Sequence, residues 1–209
     1  MALKTAGIIF AGGKSRRLGG LDKGAISING ASCFERTRRV LEPHIDKIAI
    51  SRQSASHSDY GTELEQISDW PSTSSRAGVA FAILGSLKWA QQQGYDTIIT
   101  APVDTPFLPV DFAARLLDRF ETQIYTPCRP VCAHSDQTLH GLHALWPVSC
   151  ADALAALIEA DGINKIQTLH AELDSDLCDF ELGDYDRFMN INTPKDLKAA
   201  EEIAAQYLS

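Results

Sequence analysis

Apolar and polar positions follow two rhythms along this chain, short apolar runs and longer stretches with helical spacing, and the two alternate. The runs predict strands at Ala6–Phe10, Lys47–Ser51, Thr97–Ala101 and Gly141–Leu145, with weaker ones at Ala25–Ile28, Ile124–Thr126 and Asp179–Leu182. A short apolar run closed by turn-forming residues suits a strand buried on both faces. Helical spacing predicts Ser32–Leu41, Val79–Gln92, Val110–Phe120, Ser149–Ala160 and Thr193–Tyr207. Pro109 precedes the third of these, with Asp111 in its first turn. The last has Thr193 as N-cap, Pro194 at the first helical position and Asp196 two residues on, where a carboxylate suits the helix dipole. Strands alternating with helices imply right-handed crossovers and a mainly parallel sheet, an α/β architecture. Ligands then bind beyond the carboxyl ends of the strands, so the loops after Phe10, Ser51 and Ala101 should face one pocket. Ser51–Ser58 and Pro71–Ser75 are polar loop candidates, and no internal repeat is visible.

Composition narrows the class. The 209 residues suit a single domain spanning 1–209, with 44% hydrophobic and 22% charged residues. Five cysteines, an odd number widely spread, are expected as reduced thiols in a cytoplasmic protein. Cys128, Cys132 and His134 could suggest a metal site, but no second ligand pair follows at finger-like spacing. The N-terminal apolar stretch ends in Gly-Gly-Lys and is expected to be neither a secretion signal nor a membrane span. A net charge of −8 argues against a general nucleic-acid surface.

Against that acidic background, four cations (Lys14, Arg16, Arg17, Lys23) gather between Phe10 and Gly24 with one acid, Asp22. Gly12, Gly13, Gly19 and Gly20 let the same backbone fold tightly and turn its N–H groups toward a ligand. A backbone-lined, locally positive loop at a strand end suits a chain of phosphates, whereas a solvated basic loop is the plainer alternative. Neither the P-loop pattern nor the dinucleotide Gly-x-Gly-x-x-Gly spacing fits. A second segment, Ile98–Pro109, runs from an apolar strand into a proline-bounded turn presenting Asp104. One fixed carboxylate beside a phosphate loop can hold Mg²⁺, and a turn or N-cap aspartate is the alternative. In a third segment, Asn190 and Asn192 sit two residues apart in an extended stretch before the last helix. Their amides can serve a ligand, or fasten the helix to the sheet. His140 and His143 could reach the pocket or be packed away.

The pattern Ala11-Gly12-Gly13, Ser15-x-Arg17-Leu18-Gly19 and Asp22-Lys23 resembles the loop of nucleotidyltransferases. With Asp104-Thr105-Pro106 and Asn190-Ile191-Asn192-Thr193-Pro194 it most resembles the molybdenum cofactor guanylyltransferase family, over about residues 6 to 205. The resemblance implies a Rossmann-like three-layer α/β/α nucleotidyltransferase fold. It implies that Phe10, Ala11, Gly12, Gly13, Ser51 and Asp69 meet the nucleotide, and that Lys23 binds the triphosphate. Arg17 would help neutralise charge, Asp104 would hold Mg²⁺, and Lys165, Asn190 and Asn192 would face the acceptor. Three positions depart from the family pattern: Gly78–Ala82 replaces Gly-Pro-Leu-Ala-Gly, Ser51 stands for an asparagine, and His140-Gly141 stands for His-Pro.

The activity implied is transfer of GMP from GTP to molybdenum-bound molybdopterin, releasing pyrophosphate, with proteins that deliver or accept the cofactor as partners. Lys23, Arg17 and Asp104 would carry catalysis by aligning two anions and offsetting their repulsion, with no nucleophilic side chain. Cytidylyl transfer to the same cofactor, nucleotidyl transfer to a sugar phosphate, and a nucleotide-binding protein without activity are the competing readings.

Overall fold

The structure is a computed structural model that describes residues 3–12, 18–52, 60, 64–69, 78–123, 129–163 and 165–208. In chain order the strands and helices are β1 (Thr5–Phe10), β2 (Ser27–Ile28), β3 (Ala31–Ser32), α1 (Cys33–Leu41), β4 (Lys47–Ser51), β5 (Glu65–Ile67), α2 (Val79–Gln93) and β6 (Thr97–Pro102). There follow α3 (Phe112–Glu121), β7 (Val131–Ser135), β8 (Thr138–Pro147), α4 (Ala151–Asp161), α5 (Ile166–Glu172), β9 (Asp176–Asp179) and α6 (Pro194–Tyr207).

The central sheet runs β5-β4-β1-β6-β8-β7-β9, and β2 and β3 form a small hairpin apart from it. β5, β4, β1 and β6 pair in parallel, β8 pairs antiparallel with both β6 and β7, and β7 and β9 are again parallel. The sheet is therefore mainly parallel, with β8 as the reversed strand. Its middle is buried on both faces: every residue of β6, and all of β1 before Phe10, is covered. That is why these two read as unbroken apolar runs rather than alternating ones.

Helices cover both faces, giving three layers. α2, α4 and α5 bury Leu84, Leu87, Leu154 and Leu169 with Ile8, Ile98 and Trp146. On the other face α1 and α3 pack Phe34, Leu41, Phe112 and Leu116 against Ile9, Ile99 and Leu145. A third cluster joins Ile191, Ala200 and Ala204 to Leu18, Ile26 and Phe107, seating α6 against the hairpin end. Burial of such side chains is worth about 1.5–3 kcal/mol each relative to exposure.

The helix ends follow local chemistry. Ser32 and Glu35 form a reciprocal capping box on α1, and Thr193 and Asp196 form another on α6, with Pro194 at its start. Gly94 closes α2 with φ +76°. α3 begins at Phe112 rather than Val110, because Asp111 sits at the N-cap without a side-chain capping bond and instead lies 3.7 Å from Arg115.

Other differences fall in both halves of the chain. The predicted Asp179–Leu182 strand is observed as Asp176–Asp179, and Leu182 is exposed. Ala25–Ile28 resolves into a 3₁₀ turn at Lys23–Ala25 followed by the short β2. β5, β7 and α5 have no counterpart among the predicted elements. The predicted strand at 124–126 lies outside the described residues, as do 53–58 and 71–75 of the two loop candidates.

Candidate active site

Three backbone hydrogen bonds carry the sheet past its strand ends and build the floor of a cleft. Val103 N donates to Phe10 O at 3.0 Å, Ala11 N to Ser51 O at 3.1 Å and Arg52 N to Ile67 O at 3.1 Å. The loops leaving β6, β1 and β4 are thus each tied to the next strand, and a cavity of about 540 Å³ opens above them. Its size falls within the ordinary range for small-molecule sites.

Lys23 and Asp104 meet at the centre of this cavity. Lys23 Nζ lies 2.7 Å from Asp104 Oδ2, both side chains being more than four-fifths buried. Lys23 also donates to Asn192 Oδ1. Each partner is positioned by its surroundings. Asp22 Oδ1 accepts from Gly24 N at 2.9 Å and so caps the turn that presents Lys23. The Tyr60 hydroxyl donates to the same oxygen at 2.7 Å, while the Tyr60 ring stacks on Phe34 with centroids 4.4 Å apart. Burial and the Asp22 carboxylate push the Tyr60 hydroxyl's pKa up, so it stays a donor. Ahead of this turn, Gly19 and Gly20 adopt φ of +67° and +83°, which explains the glycine pair at the end of the loop.

Asn190 and Asn192 are held from behind. Ile191 N donates to Asp104 O at 2.8 Å, so the backbone fastens this segment to the Asp104 turn, with Asn190 in the cavity lining and Asn192 reaching Lys23. Asp196 Oδ2 accepts from Asn192 N at 2.9 Å and from Thr193 N at 2.8 Å, which lowers its pKa and joins Asn192 to the start of α6. Asn190 lines the cavity and accepts from Thr105 Oγ1 at 3.3 Å.

Phe10, Gly12, Ser51 and Asp69 line the end of the cavity nearest β1, β4 and β5, and Ala11 sits between the first two on the floor. Gly13 and Arg17 lie outside the described residues. Lys165 is exposed at the N-cap of α5, and its neighbour Ile166 is the residue that lines the cavity. Sequence reasoning missed Arg52, which lines the cavity with its guanidinium 4.6 Å from the centre of the Tyr60 ring. It directly follows Ser51, and its position after a strand end was the available signal.

The opposite wall comes from β8. His140 and His143 both line the cavity. Burial lowers the pKa of His140 and holds that of His143 at about 3, so both rings are neutral at pH 7. Cys33, Cys132 and Cys178 are not primed as nucleophiles: burial raises the thiol pKa of Cys33 to about 12 and raises those of Cys132 and Cys178. Of the candidate metal trio, Cys128 lies outside the described residues, Cys132 is fully buried, and His134 bonds Asp179 at 2.5 Å. Among the described residues, no three His, Cys, Asp or Glu side chains converge as a metal cage. Asp104 and the neighbouring asparagine amides offer hard oxygen donors of the kind that Mg²⁺ shares with substrate phosphates.

The MobA-like NTP transferase domain matches residues 7–175. A molybdenum cofactor guanylyltransferase of Acidiphilium cryptum is 33% identical over 93% of this chain and 92% of its own length. A molybdenum cofactor guanylyltransferase of Cereibacter sphaeroides is 32% identical over 96% of this chain and 97% of its own. In fold, the crystal structure of molybdopterin-guanine dinucleotide biosynthesis protein A from Archaeoglobus fulgidus superposes with a TM-score of 0.70, at 24% identity, over 96% of this chain and 99% of that one. The α/β sheet, the loop ends that meet above it and these likenesses agree, and the chain belongs to the MobA-like NTP transferase family.

Proposed function

We propose that the chain transfers GMP from GTP to the terminal phosphate of molybdenum-bound molybdopterin, forming the guanine dinucleotide cofactor and pyrophosphate. The observation that carries this reading is the meeting of Lys23 and Asp104 in the cavity, with Asn192 bonded to Lys23, from segments far apart in the chain. Full-length likeness to guanylyltransferases names the nucleotide and the acceptor.

In this reading an oxygen of the acceptor phosphate attacks the α-phosphorus of GTP. A new P–O bond forms, the α–β anhydride breaks, and pyrophosphate leaves with the electron pair. The nucleophile is already an anion, so no side chain has to remove its proton. Lys23 donates to the triphosphate and offsets the repulsion between the two anions, with Arg17 adding positive charge. Asp104, with Asn190 and Asn192 beside it, would hold Mg²⁺, which supplies further charge neutralisation on the phosphates. Ser51, Asp69 and the Phe10–Gly13 turn receive the nucleotide, and Lys165 attracts the acceptor's phosphate from the rim. The protein works in the cytoplasm, taking the cofactor from a delivering protein and passing it to an accepting one.

Pyrophosphate release tests the reading, with GTP, CTP or UTP, with molybdenum-molybdopterin or a sugar phosphate as acceptor, and with or without Mg²⁺. Release with GTP and the pterin cofactor alone, dependent on Mg²⁺, is expected. Preference for CTP, or turnover with the sugar phosphate, would replace it by one of the competing transfers.

A further inference from the structure

The ladder between β7 and β8 is interrupted. Val131 and Cys132 pair with Leu145 and Ala144, whereas His134 and Ser135 pair with Leu139 and Thr138. Between these registers β8 carries more residues than β7, so 140–143 leave the ladder as a bulge. Strict two-residue alternation would send His140 and His143 to opposite faces. The bulge is what lets both line the cavity.

This bulge is held on every side. Thr100 Oγ1 donates to Leu142 O at 2.8 Å, and His170 Nε2 donates to Gly141 O at 2.8 Å. A Cβ on Gly141 would stand 2.5 Å from Ile166 Cγ1, so glycine is what allows α5 to press this close. His140 stacks on Phe188 with centroids 4.0 Å apart and planes 11° from parallel, and its Nε2 is bonded to Ser135 Oγ at 2.7 Å. His143 stands edge-on to both rings, 6.0 Å from His140 and 5.2 Å from Phe188. Its side chain is 4% exposed, and its Nε2 meets no hydrogen-bond partner among the described residues. A buried acceptor left unpaired is costly in a core, which marks this ring as shaped for something besides packing.

The sheet order separates the two ends of the cavity. Ser51 and Asp69 lie at the β4–β5 end, Lys23 and Asp104 at the β1–β6 centre, and the histidine wall at β8. Neighbouring strands are about 4.8 Å apart, so the outer walls stand on opposite sides of the central pair with room for a ring at each. We infer that the β8 bulge is a ring-recognition site, in which the Phe188-backed His140 ring stacks a planar heteroaromatic group and the buried His143 ring, edge-on to both, positions that stack. A neutral aromatic wall suits an uncharged bicyclic pyrimidinone of the pterin class, while the cation and carboxylates stay at the centre for the phosphates. Assigning this ring to the acceptor rests on the guanylyl-transfer reading; the site itself does not.

The test uses His140→Leu and His143→Leu, which keep bulk but remove the aromatic face or the ring nitrogen. Binding of 6-carboxypterin is followed by its fluorescence, GTP binding is measured separately, and thermal midpoints are recorded. Wild type is expected to bind the pterin, and each variant to bind it about tenfold more weakly. GTP affinity should stay within about twofold in both, as expected for a wall away from the nucleotide. His143→Leu should melt no lower than wild type, because it removes an unpaired buried acceptor. Unchanged pterin affinity in both variants, a parallel loss of GTP affinity, or a wild type that ignores pterin overturns the inference. Pterin binding by a wild type that transfers no GMP to molybdopterin leaves the ring site standing and removes the proposed reaction.

Discussion

The two halves of the central sheet solve different problems. In the parallel half, β5, β4, β1 and β6 end at one level, and their loops deliver Asp69, Ser51, Lys23 and Asp104 to a common floor. In the other half, β8 runs backwards and its bulge supplies a wall, with Phe188 and Asn190 arriving from the segment before α6. The first half concentrates charge in loops, where a side chain can change without disturbing the core. The second builds its surface from packed rings and satisfied backbone groups, so function and stability are harder to separate there. Each half can therefore be broken by a different kind of change.

The largest effect is expected at Asp104. Asp104→Asn keeps the shape but removes the charge facing Lys23, and turnover should fall by about a thousandfold or more with the fold intact. Circular dichroism beside pyrophosphate release checks this; near-normal activity would take Asp104 out of the site. Lys23→Ala should cost about a hundredfold in kcat/KM, shared between weaker GTP binding and a slower step. Unchanged GTP affinity would mean the loop does not hold phosphates.

The smallest effect sharpens the contrast from the other half. His170 is buried behind the bulge, between Gly141 O and Ser175 Oγ, and its pKa is lowered to about 4 by burial. The unfolded chain takes up that proton near pH 6.5, so this group's contribution is full above that pH and is lost as pH falls toward 4. Between pH 6.5 and 5 the loss is about 2 kcal/mol. Denaturant unfolding of wild type and His170→Gln at pH 7 and pH 5 should show a smaller pH dependence in the variant by about that amount. Equal dependence would mean that His170 is not held neutral in the fold.

How much of this was legible in the sequence differs between the halves for the same reason. β1, β4 and β6 are apolar because both faces are covered, and their loops carry glycines and charges that stand out in a chain. That the loops bearing Lys23 and Asp104 face one pocket followed from the alternation of strands and helices, while the choice of these two side chains came from the glycine-rich loop, the proline-bounded turn and the family resemblance. β7, Val-Cys-Ala-His-Ser, has no rhythm of its own, and the reversal of β8 leaves no local mark because antiparallel pairing is a tertiary choice. α5 is a short helix whose N-cap Lys165 makes no side-chain capping bond, so its start carries no signal. The histidine wall was open because its use depends on a register shift that only the pairing reveals. Arg52 was overlooked beside Ser51, since one cation after a strand end looks like any surface arginine until the Tyr60 ring is seen beneath it.

The hydrogen bonds from Val103, Ala11 and Arg52 to the strands beside them have a consequence for how such an enzyme could change its diet. They make the ground beneath the substrates continuous with the most rigid part of the molecule, and no single loop there can drift without dragging its neighbour. New preferences must then be written into the flanks, in the bulged strand and the residues beyond β5, while the bed proposed to align the phosphates is passed on unaltered.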